Sequence, residues 1–218
     1  MTDYRKEFIR ELHQMSDRRN IVEVFGDAVG MMAAAFQTAV DRKESDDVYK
    51  SYAERYTHDE MQHMTALLGI VIEALEKKRE SFLGPVLEDI GAANQHNGQF
   101  LTPNDIAKVM ARCSIDKVEH TPGEVIRIGD PACGAGVLLI AQAEALMQER
   151  NVPQSDILIV GGDIDRRACD ITYIELTLLG YAGIVQHMNS LTMEKYSPDR
   201  YTLGYFIHGM PMRRRAAA

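Results

Sequence analysis

The sequence predicts an α/β fold, with a parallel, doubly wound sheet in the second half of the chain preceded by a helical region. Three observations carry this. From residue 124 onward, short β-rich runs alternate with Ala- and Leu-rich stretches of helical length. The first run is joined to the first helix by a glycine turn, Asp130-Pro131-Ala132-Cys133-Gly134-Ala135-Gly136. Before all of this, no proline occurs until Pro85 and glycines are few, so long helices meet no obstacle.

Residues 1–92 read as a helical domain. Phe8, Leu12 and Met15 share one face, Ile21, Val24, Phe25, Val29 and Met32 a second, and Leu67, Leu68, Val71, Ile72 and Leu75 a third. Thr57-His58-Asp59-Glu60 has capping-box spacing, with Thr57 as N-cap and Glu60 reaching back. The same stretch could be taken for a metal cluster, but His58 and His63 are five apart and stand roughly 140° from each other around a helix. The cap is the better reading. Met31, Met32, Met61 and Met64 suit core filling. The polar run from Gly91 to Gly98 is a natural boundary, which makes residues 93–218 the second domain. There Thr102-Pro103-Asn104 predicts a helix start, with Thr102 as cap and Pro103 in the first helical position.

The alternating part predicts strand 124–129, helix 137–149, strand 157–161, helix 166–180, strand 183–187 and strand 201–207. Such alternation implies parallel strands with right-handed crossovers. With only about four strands, one edge of the sheet needs cover, from the helical domain, a second copy or a partner subunit, because exposed edges aggregate.

A glycine turn between strand and helix brings backbone close to a nucleotide-like ligand. Asp163, at the end of the next strand, is placed to hold a ribose. A dinucleotide site requires a small residue where Leu139 stands, and Asp130 beside the turn would repel a pyrophosphate. A P-loop is excluded because no G-K-[ST] follows. S-adenosylmethionine meets the constraints, with an ammonium group, a ribose diol and no phosphate. An ordinary turn would use the same glycines for geometry alone.

The segment Asp130 to Gly136 resembles the cofactor-loop motif D-P-A-C-G-[ST]-G of the adenine-N6 DNA methyltransferases. The modification subunits of type I restriction systems and their phage or plasmid homologues are the nearest likeness. Gly98-Gln99-Phe100-Leu101-Thr102-Pro103 is similar to that family's G-Q-[FY]-[YF]-T-P, Gly162-Asp163-Ile164-Asp165 to its second-strand motif, and His187-Met188-Asn189-Ser190-Leu191 to H-G-[DN]-[ST]-L. The resemblance implies a Rossmann-like, S-adenosylmethionine-dependent methyltransferase fold with a truncated parallel sheet. It implies that Asp130, Pro131, Ala132, Cys133, Gly134 and Gly136 shape the methionine end, closed by Phe100, Thr102 and Pro103. Asp163 would take the ribose, Ile164 the adenine ring and Asn189 the adenine amine.

The likeness ends at the catalytic motif, [DN]-P-P-[FYW], which follows the family's fourth strand. Here the candidate strand leads into His208-Gly209-Met210-Pro211-Met212, where only Pro211 matches. An adenine amine is a poor nucleophile, and the motif accepts its N–H bonds and stacks the flipped base. Losing one such aimed group costs about 10²–10³ in rate, and losing the stacking costs about 1–3 kcal/mol. Little activity is therefore expected from that segment. The implied partners are DNA, met with a partner or specificity-type subunit, and possible self-association as a homodimer. A catalytically inactive subunit or anti-restriction decoy is the alternative, and a small-molecule or protein acceptor a third.

Net charge is −8, which disfavours a free-standing duplex binder. Most of the acid excess lies in residues 1–97, and Arg213-Arg214-Arg215 is the dense basic cluster, read as a solvated tail or a phosphate contact. No long apolar span, no apolar leader core and three widely spaced cysteines (Cys113, Cys133, Cys169) predict a cytoplasmic chain with reduced thiols and no membrane contact.

Overall fold

Side-chain caps set where the N-terminal helices begin. The computed structural model describes residues 3–16, 19–40, 42–91, 101–116 and 118–212. Asp3 accepts the Lys6 N–H at the start of α1 (Tyr4–His13), and Asn20 accepts the Val22 N–H at the start of α2 (Ile21–Gln37). After α3 (Arg42–Ala53), Thr57 and Glu60 form the reciprocal capping box that starts α4 (His58–Lys77). His63 Nδ1 lies 2.7 Å from Glu11 and His58 turns instead to Gln62, so the two histidines serve separate partners. Among the described residues no group of His, Cys, Asp and Glu is arranged to hold a metal ion, and no helix is long and apolar enough to cross a membrane. Arg213 to Arg215 lie outside the described residues.

A short α5 (Leu83–Asp89) follows, then α6 (Asn104–Ile115). The expected cap at Thr102 is not made. Helix α6 begins one residue late, with Pro103 in the capping position at ψ 143° and no side-chain cap bond.

The sheet is built from β1 (Ile126–Asp130), β2 (Ile157–Asp163) and β3 (Ala182–Asn189), which are parallel and adjacent in that order. Helices α7 (Val137–Glu149) and α8 (Arg166–Leu178) connect them. Ile128 pairs with Ile159, and Val160 with Ile184. The predicted first three strands and two crossovers are therefore present. Strand β2 is central and buried almost throughout, whereas β1 forms the edge and alternates with exposed positions.

One face of the sheet, with α7 and α8, shares a continuous core with the helical region. Phe8, Phe25, Leu67 and Leu83 belong to the same buried cluster as Leu139, Ile140, Tyr173 and Ile174. Each such side chain contributes about 1.5–3 kcal/mol when fully buried. The helical region packs on α8, through α2, α4 and α5.

The expected fourth strand, 201–207, is not a strand. Short β4 (Glu194–Lys195) and β5 (Arg200–Tyr201) both pair antiparallel with β3, and residues Leu203–Ile207 form helix α9. Thr202 is the reason, because its hydroxyl accepts the Tyr205 N–H and caps a helix where the aromatic run alone suggests a strand. On the second sheet face, Tyr205 and Met210 pack against Leu158, Ala182 and Ile184.

Candidate cofactor site

Parallel strands bring their carboxyl ends to one side of the sheet, and the candidate residues converge there. Asp130 ends β1, Asp163 ends β2 and Asn189 ends β3. The register sets Asp130 beside Gly161 and Asp163 beside His187. Two carboxylates and an amide thus stand at three neighbouring strand ends.

The glycine turn has the backbone its glycines were expected to supply. Gly134 and Gly136 hold φ of +52° and +74°, the left-handed region that penalises other residues. A Cβ at Gly136 would stand 2.9 Å from Thr172 Oγ1, so this glycine also lets α8 approach the turn. The Thr172 hydroxyl donates to the Gly134 carbonyl (2.9 Å), and the Cys133 N–H donates to the Gly162 carbonyl (2.9 Å). Ala132 N–H donates to Asp130 Oδ1 (2.9 Å). Pro131 and Ala132 are exposed in this turn, while Cys133 is buried.

Asp163 does more than wait for a ligand. Its side chain is only 7 % exposed, and its two oxygens accept the N–H groups of Gly134 (2.8 Å) and Asp165 (2.8 Å). It clamps the first turn to the second. Each carboxylate oxygen has a further lone pair, which is what a ribose hydroxyl would use. Ile164, next along, is 58 % exposed, a free apolar surface at the lip. Asn189 uses its amide oxygen locally, accepting from Leu191 and Thr192 N–H, which leaves its NH₂ group outside that turn.

Of the upstream motif, Leu101 reaches the site, since a Cβ built on Gly134 would lie 3.4 Å from its Cδ2. Thr102 and Pro103 follow Leu101 into α6, where Pro103 lines a groove with Ser81, Phe82 and Glu88. Phe100 lies outside the described residues. Two residues of the fourth motif that were given no role tie the turns together. His187 Nε2 donates to the Ile164 carbonyl (3.1 Å), and the Ser190 hydroxyl donates to the Pro131 carbonyl.

The segment His208 to Met212 is not part of this group. His208 Nε2 donates to the Gly180 carbonyl (3.0 Å), and Met210 is fully buried against the second sheet face. Gly180 precedes β3, so the segment lies at the amino ends of the strands, about 25 Å along β3 from Asn189 at roughly 3.3 Å per residue. The segment therefore does not occupy the place of the family's catalytic motif: β5 runs back along β3 and carries the chain away from the site.

Both thiols near the site are held protonated. Burial pushes the Cys133 thiol well above its ordinary value, helped by nearby Cys169 and Asp163, and burial pushes Cys169 up to about 12. Neither acts as a nucleophile in this setting.

A strand–glycine turn–helix site with acids at successive strand ends defines a nucleoside-cofactor protein of the α/β class. A family profile described as N-6 DNA Methylase matches residues 85–207, more than half of the chain, and the chain belongs to that family. S-adenosylmethionine is the cofactor of such proteins. The donor set here suits it, since Asp130 and Asp163 favour a cationic nucleoside and Gly134 keeps the turn free of side chain. A crystal structure described as a class I S-adenosylmethionine-dependent methyltransferase from Listeria monocytogenes is also similar, at 17 % identity and a TM-score of 0.48, covering 97 % of this chain and 70 % of that one.

Proposed function

We propose that this chain binds S-adenosylmethionine as the cofactor half of a DNA adenine-N6 methylase in a restriction-modification type of system, and that it does not methylate DNA by itself. The observation that carries the second clause is the position of His208 to Met212, remote from Asn189 and anchored on Gly180. Bound there, the cofactor would supply an electrophilic sulfonium methyl. The residues of this chain do the rest of what the site can do. Asp130 offers its carboxylate to the ammonium group, Asp163 accepts from the ribose diol, Ile164 lies against the ring, and Asn189, its amide oxygen already taken by two backbone N–H groups, offers its NH₂ donor to a ring nitrogen. Among the described residues the site has no aimed acceptor for the substrate amine and no ring to stack the base, which a partner subunit on DNA would provide. A decoy of phage or plasmid origin, competing for such a partner, is the alternative that the same displaced segment favours.

Calorimetry with S-adenosylmethionine tests the first clause. Asp163→Ala weakens binding more than tenfold, because a charged acceptor is lost and Gly134 is released; an unchanged dissociation constant refutes the placement. Transfer of tritiated methyl to unmethylated DNA tests the second. Incorporation by the chain alone, abolished by Asp130→Ala, would sink the silent reading.

A further inference from the structure

We propose that His187 is a positioning residue for the base end of the cofactor site, a role that rests on the S-adenosylmethionine reading above. The imidazole stands between two segments, the turn from β2 into α8 and the loop between β4 and β5. On one side its Nε2–H donates to the Ile164 carbonyl (3.1 Å), and since a carbonyl only accepts, the proton sits on Nε2. On the other side its ring meets that of Tyr196, with centroids 5.1 Å apart and planes at 60°. Nδ1 is buried without a hydrogen-bond partner among the described residues, so one bond and one ring contact define the orientation of the imidazole.

The geometry makes this ring the strut for Ile164. Asp163 is fixed by its two backbone partners, but the next residue, Ile164, exposes most of its side chain, and its carbonyl accepts the bond from His187. Fixing that carbonyl fixes the peptide plane, and with it the direction in which the Ile164 side chain projects. Tyr196 is itself bound back to the same residue, its N–H donating to the His187 carbonyl (2.9 Å), and it is 45 % exposed. An aliphatic side chain and an aromatic ring, both partly exposed and joined through one imidazole, make a surface for a flat heteroaromatic base. Ser190 works in parallel by tying the same strand end to Pro131 of the glycine turn. The end of β3 therefore holds both neighbouring turns in register, through His187 for the base and Ser190 for the methionine end.

The test is calorimetry of the full chain with S-adenosylmethionine and, separately, adenosine. His187→Ala weakens both ligands by the same factor, about tenfold, because the loss falls on the part they share. His187→Gln, whose amide nitrogen stands where Nε2 stands and donates to the same carbonyl, restores most of the affinity. A role in stability alone would lower the melting temperature of His187→Ala and leave both dissociation constants of the folded protein unchanged, which overturns the proposal, as does a His187→Gln loss equal to that of alanine. Should His187→Ala fail to fold, Tyr196→Ala decides: a loss of about threefold or more for adenosine supports the wall, and none overturns it. Wild-type protein that binds neither ligand overturns the cofactor reading itself, whereas wild-type binding with an unaltered His187→Ala overturns the strut alone.

Discussion

The two ends of the sheet are built on opposite plans. At the amino end, polar side chains lock main-chain groups in place. Arg79 donates to Glu144 (2.6 Å) and to the Leu179 carbonyl (3.2 Å), Tyr181 donates to the same Glu144, and Gln154 donates to Leu179 (2.8 Å). Thr202 reaches both Tyr181 and Gly183, and His208 reaches Gly180. At the carboxyl end the ties are between turns, and Ile164, Leu191 and Met193 are left exposed. A parallel α/β protein can place chemistry in its loops only if rigidity is supplied elsewhere, and here it is supplied about one strand length away.

The largest expected effect breaks the closed end. A Cβ at Gly204 would lie 2.4 Å from the Tyr181 carbonyl oxygen and 2.7 Å from that of Gly180, and backbone cannot step aside. Gly204→Ala should cost about 3 kcal/mol and lift α9 from the sheet. A melting curve shows this as a large fall in midpoint, while cofactor affinity of the remaining folded protein stays unchanged. Equal damage at both ends would end the distinction.

A smaller effect sharpens it. Glu175 on α8 is fully buried, and its Oε1 accepts the N–H groups of Phe82 (2.7 Å) and Leu83 (2.6 Å), joining the helical region to the crossover. Burial outweighs those two bonds and a further one from Ser81, and pushes its carboxyl up to about 7. Because the folded value lies above the unfolded one, this group favours folding fully below about pH 4.5, and that contribution is lost as pH rises toward 7. The slope approaches roughly 1.4 kcal/mol per pH unit within that window. Glu175→Gln, isosteric with the protonated acid, should flatten the loss of stability between those two pH values. Chemical denaturation across the range measures it, and an unchanged slope would rule out Glu175 as the titrating group.

How much of this was legible in the sequence follows the same division. The alternation after residue 124 and the glycine turn are local signals, and they found β1 to β3, α7 and α8 and pointed to Asp130 and Asp163, whereas Asn189 came only from the likeness of His187 to Leu191 to a family motif. The Thr57 box was equally local. What failed depended on distant partners. Tyr201 to Ile207 is aromatic enough to read as a strand, yet Thr202 hydroxyl, three residues before Tyr205, caps a helix that Gly204 allows against Tyr181. Thr102 carried the same type of signal and does not cap, because the chain enters α6 one residue later with Asn104 turned to the Ser81 carbonyl. The grip of Asp163 on Gly134 and of His187 on Ile164 exist only once β1, β2 and β3 are in register. The signal for His187 was on the page, in the run His187 to Leu191, but its chemistry was not.

The smallest expected effect concerns reactivity. Cys113 is exposed, whereas Cys133 and Cys169 are buried with raised thiol values. A thiol reagent should label Cys113 in the native chain with no change in cofactor affinity and reach the other two only on unfolding. Native labelling of Cys133, read by mass spectrometry, would mean that the glycine turn opens.

The direction of the crossovers has an electrical consequence. Helices α7 and α8 both start at the carboxyl end of the sheet, and each presents about half a positive charge there. Left to themselves, those two dipoles would draw in phosphate and repel a sulfonium. Asp130 and Asp163, set among the same turns, oppose that field, while Asp165 is offset by Arg167 at 3.9 Å. The taste of the crevice for cations therefore rests on two carboxylates, and the backbone beneath them would serve an anion equally well.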